Sequence, residues 1–257
     1  MGVRLSTGQF NEPLLFQEAQ KPPAYGNSFG GHNYSLDHPA MTASFTEYSF
    51  DGFSIRRGQV QLKQDVEIVD ESPVRGILMY FNLSGNSATW LHDEGRLICF
   101  SGQQHNLIYT PAFRANFKAG VGSGITDKLE ILIPETHYRR ITDGDSTLPV
   151  HFEKHCASQR TIQLFEHAIA TNAAINHTIS QILRTQKSGV LKKIYLESKI
   201  LELLAMQLEQ FLSFDNLAGK ISKSDIERLY EAKSILEENI TSPCSLIDLA
   251  HKVGIND

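Results

Sequence analysis

The feature that most constrains the fold is a change of periodicity part-way along the chain. Between about Met41 and His151 the sequence consists of short β-rich runs separated by turn signals such as Ser84-Gly85-Asn86. From Ser158 onward the apolar residues recur at helical spacing instead. Short strands at such a spacing are typical of a sandwich or a barrel. The sequence therefore predicts an α+β protein in which the strands precede the helices.

Composition limits the class of protein and its location. The chain has 257 residues, of which 41% are hydrophobic, and this is enough for a buried core. It contains no apolar run of about 18 residues, and the opening MGVRLSTGQF lacks the apolar centre of a signal peptide. Cys99, Cys156 and Cys244 are widely spaced and odd in number, which suits a reducing compartment. We expect a cytoplasmic protein that does not contact the membrane.

Residues 223–257 predict two helices in the arrangement that opens a helix-turn-helix. Ser224 with Glu227, and Ser245 with Asp248, have the spacing of helix N-terminal caps. The predicted helices cover residues 225–240 and 246–253, with a break that contains a proline. A glycine after the second helix can adopt the left-handed conformation of a sharp turn. The predicted core of this unit consists of Leu249, Ala250, Val253, Gly254 and Ile255.

This last segment carries a resemblance to a known family. IERLYEAKSILEENITSPCSLIDLAHKVGIND resembles the opening of the DNA-binding domain of AraC/XylS-family transcription regulators. The resemblance implies two helix-turn-helix units, of which this chain would hold only the first helices. It also implies a cupin-like barrel upstream that senses a ligand. YLESKILELLAMQLEQ followed by DIERLYEAKSIL is similar to the subgroup typified by the pyochelin-responsive regulator, which senses a ferric siderophore.

Four segments follow from the pattern and the resemblance together. Residues 1–155 form a β-rich, cupin-like sensing domain with an N-terminal arm, and residues 156–213 form a helical pair for dimerisation. We expect residues 214–222 to be a linker and residues 223–257 to be the truncated start of the DNA-binding domain that the resemblance implies. This last segment holds four basic residues against seven acidic ones, so it lacks a footprint for phosphates. We expect DNA to be a partner of a longer protein and not of these residues alone.

The ligand of such a sensor is expected inside the β-rich domain, where alternate side chains point inward. Counted from Gly76, alternation predicts that Leu78, Tyr80 and Asn82 point to one face of the strand, while Ile77 and its alternate neighbours point to the other. The face with polar groups is the better candidate for a pocket. Aromatic rings can stack on a ligand, and an arginine can meet an acidic one. The candidate ligand-binding residues are Arg56, Arg57, Tyr80, Asn82, Trp90 and Tyr109. We expect a small-molecule effector, for which the resemblance suggests a ferric siderophore, and no cofactor.

The helical segment from Val190 to Leu212 carries more apolar surface than one contact requires. One face has heptad-like spacing, and a second face contains Leu196, Ile200 and Leu203. If one face packs on its own domain, the other is free for a partner, which predicts a homodimer; the alternative is a helix buried within one subunit. The predicted dimerisation residues are Ile194, Leu201, Leu204, Leu208 and Phe211.

A cupin-like fold also raises the alternative of a small-molecule-binding cupin, including a metal-dependent enzyme. Such an enzyme's site needs closely spaced histidines on one strand and a carboxylate a few residues further on. Here His92 and His105 are isolated, and His151 and His155 lie at the end of the β-rich region. We therefore expect no metal site and no enzymatic activity.

Overall fold

The computed structural model describes residues 2–6, 11–12, 30–64, 66–72, 75–91, 96–110, 113–119, 124–142, 161–218, 223–239 and 244–254. The chain divides into two compact units, Met1–Leu208 and Glu209–Asp257. None of the helices in the described residues is long and apolar enough to cross a membrane.

The first unit is built from antiparallel strands that form two sheets. In the described residues the smaller sheet has the order β2-β1-β6-β11-β8-β9, and the larger one has the order β13-β10-β7-β12-β5-β4-β3, with β14 also pairing with β10. The strands are β1 (Gly2–Ser6), β2 (Asn11–Glu12), β3 (Gly30–His38), β4 (Met41–Phe50), β5 (Phe53–Leu62), β6 (Val66–Ser72), β7 (Gly76–Ser84), β8 (Ser87–Leu91), β9 (Arg96–Phe100), β10 (Gln104–Thr110), β11 (Phe113–Ala119), β12 (Ile125–Pro134), β13 (Ile162–Gln163) and β14 (Ile169–Ala170).

The described residues contain five helices. They are α1 (Glu135–Thr142), α2 (Ala173–Leu183), α3 (Gly189–Ala218), α4 (Lys223–Glu238) and α5 (Leu246–Lys252). The strands precede most of the helices, as the change of periodicity predicts, and the α+β class is confirmed.

The two sheets face each other, and neither closes on itself within the described residues. Tyr80 of β7 packs in one apolar cluster with residues of β9, and its ring centroid lies 4.3 Å from that of Phe100. Of the two architectures that the strand pattern allows, this is the sandwich and not the barrel. The shared cluster consists of Leu78, Tyr80, Ile98, Phe100 and Ile108.

Local sequence signals explain the central hairpin of the larger sheet. Asp51 and Gly52, between β4 and β5, both have positive φ angles of 46° and 83°, as the two central residues of a type I′ hairpin turn require. Gly58 lies directly opposite Phe45, and a Cβ at Gly58 would lie 2.7 Å from the Phe45 ring. The glycine therefore allows the ring to lie across β5.

Helix α3 lies on the face of the larger sheet that points away from the smaller sheet, and β7 presents apolar side chains to that face. Ile77, Met79 and Phe81 are fully buried there. Helix α3 is joined to this face by a hydrogen-bonding contact of 2.8 Å between Gln207 and His105. The Nζ of Lys192, near the start of α3, also lies 3.9 Å from the centroid of the Tyr48 ring on β4.

Two boundaries predicted from the helical pattern are wrong. Residues 161–170 are not helical, because β13 and β14 pair with the edge of β10 and occupy its free backbone groups; α2 begins only at Ala173, after the N-cap Asn172. The predicted linker 214–222 is also too long, because α3 continues to Ala218. Residues 151–160 lie outside the described residues.

In the second unit, the two predicted helices are present. Ser245 caps α5, and its Oγ accepts a hydrogen bond of 3.1 Å from the backbone N–H of Asp248. Helix α4 begins at Lys223, one residue before the predicted cap Ser224, whose side chain lies outside the described residues. Of the predicted core, Leu249 and Ala250 are half-buried, Val253 is buried and Gly254 has a φ of 66°, while Ile255 lies outside the described residues.

The predicted dimerisation residues do not share one environment. Leu204 is only 3% exposed and belongs to the same buried side of α3 as Leu196, Ile200 and Leu203. The prediction that Leu204 lies on the helix face open to a second subunit is therefore wrong. Ile194 is 59% exposed. Leu201, Leu208 and Phe211 are half-buried.

Alanine substitutions should separate the two sides of α3. Leu204→Ala should lower the free energy of unfolding by about 2 to 4 kcal/mol, because it leaves a cavity in a packed interior. Ile194→Ala, the matched control on the exposed side, should change it by no more than about 0.5 kcal/mol. Urea titration measures both values, and equal losses would contradict the burial of Leu204.

Candidate ligand-binding site

A row of polar residues crosses the larger sheet on the face that points toward the smaller sheet. Residues directly opposite one another on neighbouring strands point to the same face. Tyr80 identifies this face, because it packs against Phe100 of the smaller sheet. The row, in which each residue is in register with the next, consists of Asn106 (β10), Tyr80 (β7), Glu130 (β12), Arg56 (β5), Glu47 (β4) and His32 (β3). We call these six residues the polar row.

An ion pair with a third charge lies at the centre of the polar row. The guanidinium of Arg56 donates to Glu130 Oε2 through Nε at 2.7 Å and contacts it through Nη2 at 2.5 Å. Lys128, two residues before Glu130 on the same strand, donates from Nζ to Glu130 Oε1 at 2.7 Å. The side chains are 11%, 5% and 12% exposed for Arg56, Glu130 and Lys128. Two positive charges and one negative charge are therefore buried together; we call these three residues the buried triad.

The electrostatics of the buried triad keep all three groups charged. Burial alone would raise the pKa of Glu130, but Arg56 and Lys128 together outweigh it and lower that pKa from 4.5 to about 2. Burial would likewise lower the pKa of Lys128, yet the neighbouring Glu130 carboxylate raises it. The charges are fixed over the whole physiological pH range.

Aromatic and hydroxyl groups surround the buried triad on both sides. The Tyr80 hydroxyl lies 3.1 Å from Ser87 Oγ of the smaller sheet, and Lys128 Nζ lies 5.8 Å from the centroid of the Tyr80 ring. On the other side, Tyr34 donates to Glu47 at 3.4 Å and its ring stacks on Phe45 with centroids 5.0 Å apart. Burial raises the pKa of both Tyr80 and Tyr34, so both hydroxyls remain protonated.

Asn82 follows Tyr80 by two residues on β7, so it points to the same face as the polar row, and its side-chain oxygen is a hydrogen-bond acceptor without a partner in the described residues. Its Nδ2 donates to the carbonyl oxygens of Gly85 at 2.7 Å and Ser101 at 2.9 Å, at the two connections between the sheets. The side chain is fully buried, and among the described residues its Oδ1 has no hydrogen-bond partner. A ligand or a water molecule that donates a hydrogen bond would satisfy this oxygen.

The structure brings together three of the six candidate residues predicted from the sequence. Arg56, Tyr80 and Asn82 share the face of the polar row. Arg57 points to the opposite face, where Asp127 accepts from its Nη2 at 2.6 Å. Tyr109 also lies on the opposite face, and its hydroxyl donates to Glu135 of α1 at 3.3 Å.

Trp90 belongs to β8, where its backbone is in register with Leu97 and Asn116; its side chain lies outside the described residues.

Sequence reasoning missed Lys128, Glu130, Glu47 and Tyr34. A signal was present on β12, where the sequence KLEILIP begins with a charged, an apolar and a charged residue. In a strand this alternation places Lys128 and Glu130 on one face. The pairing of Arg56 with Glu130 joins residues 74 positions apart, and no local pattern specifies that distance. Among the described residues, no group of three or more His, Cys, Asp or Glu side chains is arranged to hold a metal ion.

Comparison with known proteins places the chain in a family. The family model described as the regulatory protein PchR N-terminal domain matches residues 28–220, more than half of the chain. The chain belongs to the PchR N-terminal domain family. The matched family is one of regulatory proteins, in agreement with the prediction that the chain is not an enzyme.

A curated relative agrees with this PchR assignment. The regulatory protein PchR of Pseudomonas aeruginosa is 36% identical over 86 residues, which cover 32% of this chain and 29% of the relative. The match therefore spans less than a third of the relative's length. The predicted resemblance of the chain to the PchR subgroup is confirmed by this family membership.

Solved structures of regulators resemble the PchR-family chain only weakly. The AraC-like transcriptional activator CuxR has a TM-score of 0.40 at 9% identity and covers 84% of this chain and 71% of its own. A single-residue variant of apo ToxT from Vibrio cholerae has a TM-score of 0.39 at 11% identity and covers 90% and 72%.

Two carboxylates on β12 provide a matched test of the buried triad. Glu130→Gln should lower the free energy of unfolding by about 3 kcal/mol, because Arg56 and Lys128 stay buried without a counter-charge. Asp127→Asn breaks the pair with Arg57, whose side chain is 38% exposed, so solvent screening limits the loss to about 1 kcal/mol.

The effect of Glu130→Gln should depend on pH in a defined direction. Glu130 has a lowered pKa in the folded state, so its stabilising contribution is present above pH 4.5 and is lost as the pH falls toward about 2. The difference between wild type and Glu130→Gln, measured by urea titration at each pH, should therefore narrow over this range. A difference that stays constant down to pH 2 would contradict the ionised, paired state of Glu130.

Proposed function

We propose that this chain is the sensing and dimerisation part of a transcription regulator, and that its small-molecule effector binds against the polar row. The observation that carries the proposal is the buried triad, which places three charges on a face where a purely structural sandwich would hold apolar side chains. Burying charges is unfavourable, and an apolar replacement of similar volume often stabilises a protein. Charged groups retained at such a position indicate a binding role.

The chemistry of the face supports an acidic, partly aromatic effector. Arg56 and Lys128 carry two positive charges that can bind an anionic group, and the two carboxylates of the same face, Glu130 and Glu47, balance them in the ligand-free protein. Tyr80 and the stacked pair of Tyr34 and Phe45 offer aromatic rings on either side. A ferric siderophore with phenolate and carboxylate groups fits this description, and membership of the PchR family supports it. The regulator acts in the cytoplasm, and DNA is its macromolecular partner.

Dimerisation is the second part of the proposal, with a revised contact surface. The first turns of α3 expose three large apolar side chains, because Val190, Leu191 and Ile194 are 67%, 66% and 59% exposed. Leu201 and Leu208 continue from Ile194 at intervals of seven residues and are half-buried. This spacing suits a helical contact between two copies of the chain. In this proposal the contact surface no longer includes Leu204, which the sequence had predicted to be part of it.

Titration with ferric pyochelin tests the effector. Trp90 is the only tryptophan of the chain, so its fluorescence reports on the β8–β9 hairpin alone. Ferric pyochelin should quench it saturably and raise the melting temperature, as mass action requires for a ligand of the folded state. Metal-free pyochelin and ferric citrate are the controls. If a sugar or a fatty acid stabilises the protein while ferric chelates do not, the siderophore part of the proposal is wrong.

Sedimentation tests the dimer. The wild-type chain should sediment as a dimer at tens of micromolar, roughly the concentration that a modest interface needs. Leu191→Glu with Ile194→Glu should produce a monomer, because charges buried in an apolar contact lose their hydration. Gln186→Glu with Ser188→Glu adds the same charge just before the helix and should leave the dimer intact. A monomeric wild-type protein would contradict the proposal.

A further inference from the structure

A buried polar junction fastens α3 to the larger sheet. Gln207 Nε2 lies 2.8 Å from His105 Nδ1 and donates to the carbonyl oxygen of Asn106 at 3.3 Å. All three residues are fully buried. Elsewhere on this side of α3 the buried residues nearest in sequence, Leu203 and Leu204, are apolar. Gln207 is therefore a specific polar contact in an apolar surface.

The junction satisfies only half of the Gln207 amide. The Nε2 group has two hydrogens and can serve both acceptors at once. The Oε1 atom is buried and has no hydrogen-bond partner among the described residues. A hydrogen bond left unmade in the interior is unfavourable, so this junction stabilises the position of α3 less than a fully paired amide would.

The two partners of Gln207, the His105 side chain and the Asn106 backbone carbonyl, belong to adjacent residues of β10 whose side chains point to opposite faces of the sheet. His105 points toward α3, and its ring lies between those of Phe81 and Phe165, at centroid distances of 5.6 and 5.8 Å. Asn106 belongs to the polar row and is directly opposite Tyr80. Its Nδ2 donates to the backbone carbonyl oxygen of Phe165 at 2.9 Å, and its Oδ1 accepts from the backbone N–H of Phe165 at 3.2 Å.

We propose that Gln207 is a positioning residue that couples the polar row to α3 through β10. A group that displaces Tyr80 or the buried triad shifts the Asn106 carbonyl and the His105 ring, and thereby changes how firmly α3 is held. The same helix continues without interruption to Ala218. The link to an effector rests on the function proposed above, whereas the coupling itself is a property of the protein alone.

A double-mutant cycle tests the coupling without any ligand. Amide hydrogen exchange is followed by mass spectrometry in wild type, Glu130→Gln, Gln207→Met and the double variant. The readout is the exchange rate of α3 residues 196–207 relative to that of β7, so that global unfolding cancels. Glu130→Gln should change this ratio by about threefold or more when Gln207 is present, and by less than about twofold in the Gln207→Met background.

A control variant, a substitute perturbation and a ligand titration accompany the cycle. Gln210→Met, three residues further along α3, should behave as wild type in the cycle. If Glu130→Gln does not fold, Tyr80→Phe replaces it as the perturbation of the polar row. Equal changes of the ratio in both backgrounds, or no change in either, would overturn the coupling. Ferric pyochelin should change the ratio in wild type but not in Gln207→Met; if it binds neither protein, the proposed effector is wrong while the ligand-free cycle still decides the coupling.

Discussion

The pairing of Arg56 with Glu130 is the contact on which the arrangement of the larger sheet depends. It joins β5 to β12 in the middle of the sheet, with both side chains almost fully buried. A slip of one residue would move Arg56 to the other face and leave a buried charge without a partner. Because the register is fixed in this way, Arg57 and Asp127 meet on the opposite face. One pairing thus determines which side of the sheet carries the polar row.

The two faces of the larger sheet have separate tasks in this account. The face with the polar row holds three ionised groups, two tyrosines and the unused acceptor of Asn82, which together offer a ligand charge, stacking and hydrogen bonds. The other face holds the Arg57-Asp127 pair and the apolar residues of β7, and α3 is joined to it through the junction at Gln207. On β10, Asn106 belongs to the polar row and its neighbour His105 contacts Gln207 of α3, and these two adjacent residues are the basis of the coupling proposed above.

The order of strands and helices could be predicted from the sequence, but which elements and which faces pack together could not. Periodicity predicted strands before helices, and the caps at Ser245 and Gly254 located α5 correctly. The sequence could not show which of Arg56 and Arg57 points to the face of the polar row. That orientation depends on how β5 pairs with β12, where the partner Glu130 lies 74 residues away. Helical spacing in residues 161–170 was misleading, since the need of the β10 edge for partners overrides local propensity. Leu204 was misplaced because two apolar faces of one helix look alike until one of them is packed.

The adjacent arginines of β5 provide the most direct test of the account, since they have the same side chain and point to opposite faces. Calorimetric titration of ferric pyochelin into Arg56→Lys and Arg57→Lys compares them with charge preserved, so that only the geometry of the guanidinium is lost. We expect Arg56→Lys to weaken binding by about tenfold or more, a loss of about 1.4 kcal/mol, and Arg57→Lys to leave the affinity within about twofold of wild type. A larger loss for Arg57→Lys, or equal losses for both, would contradict binding at the polar row.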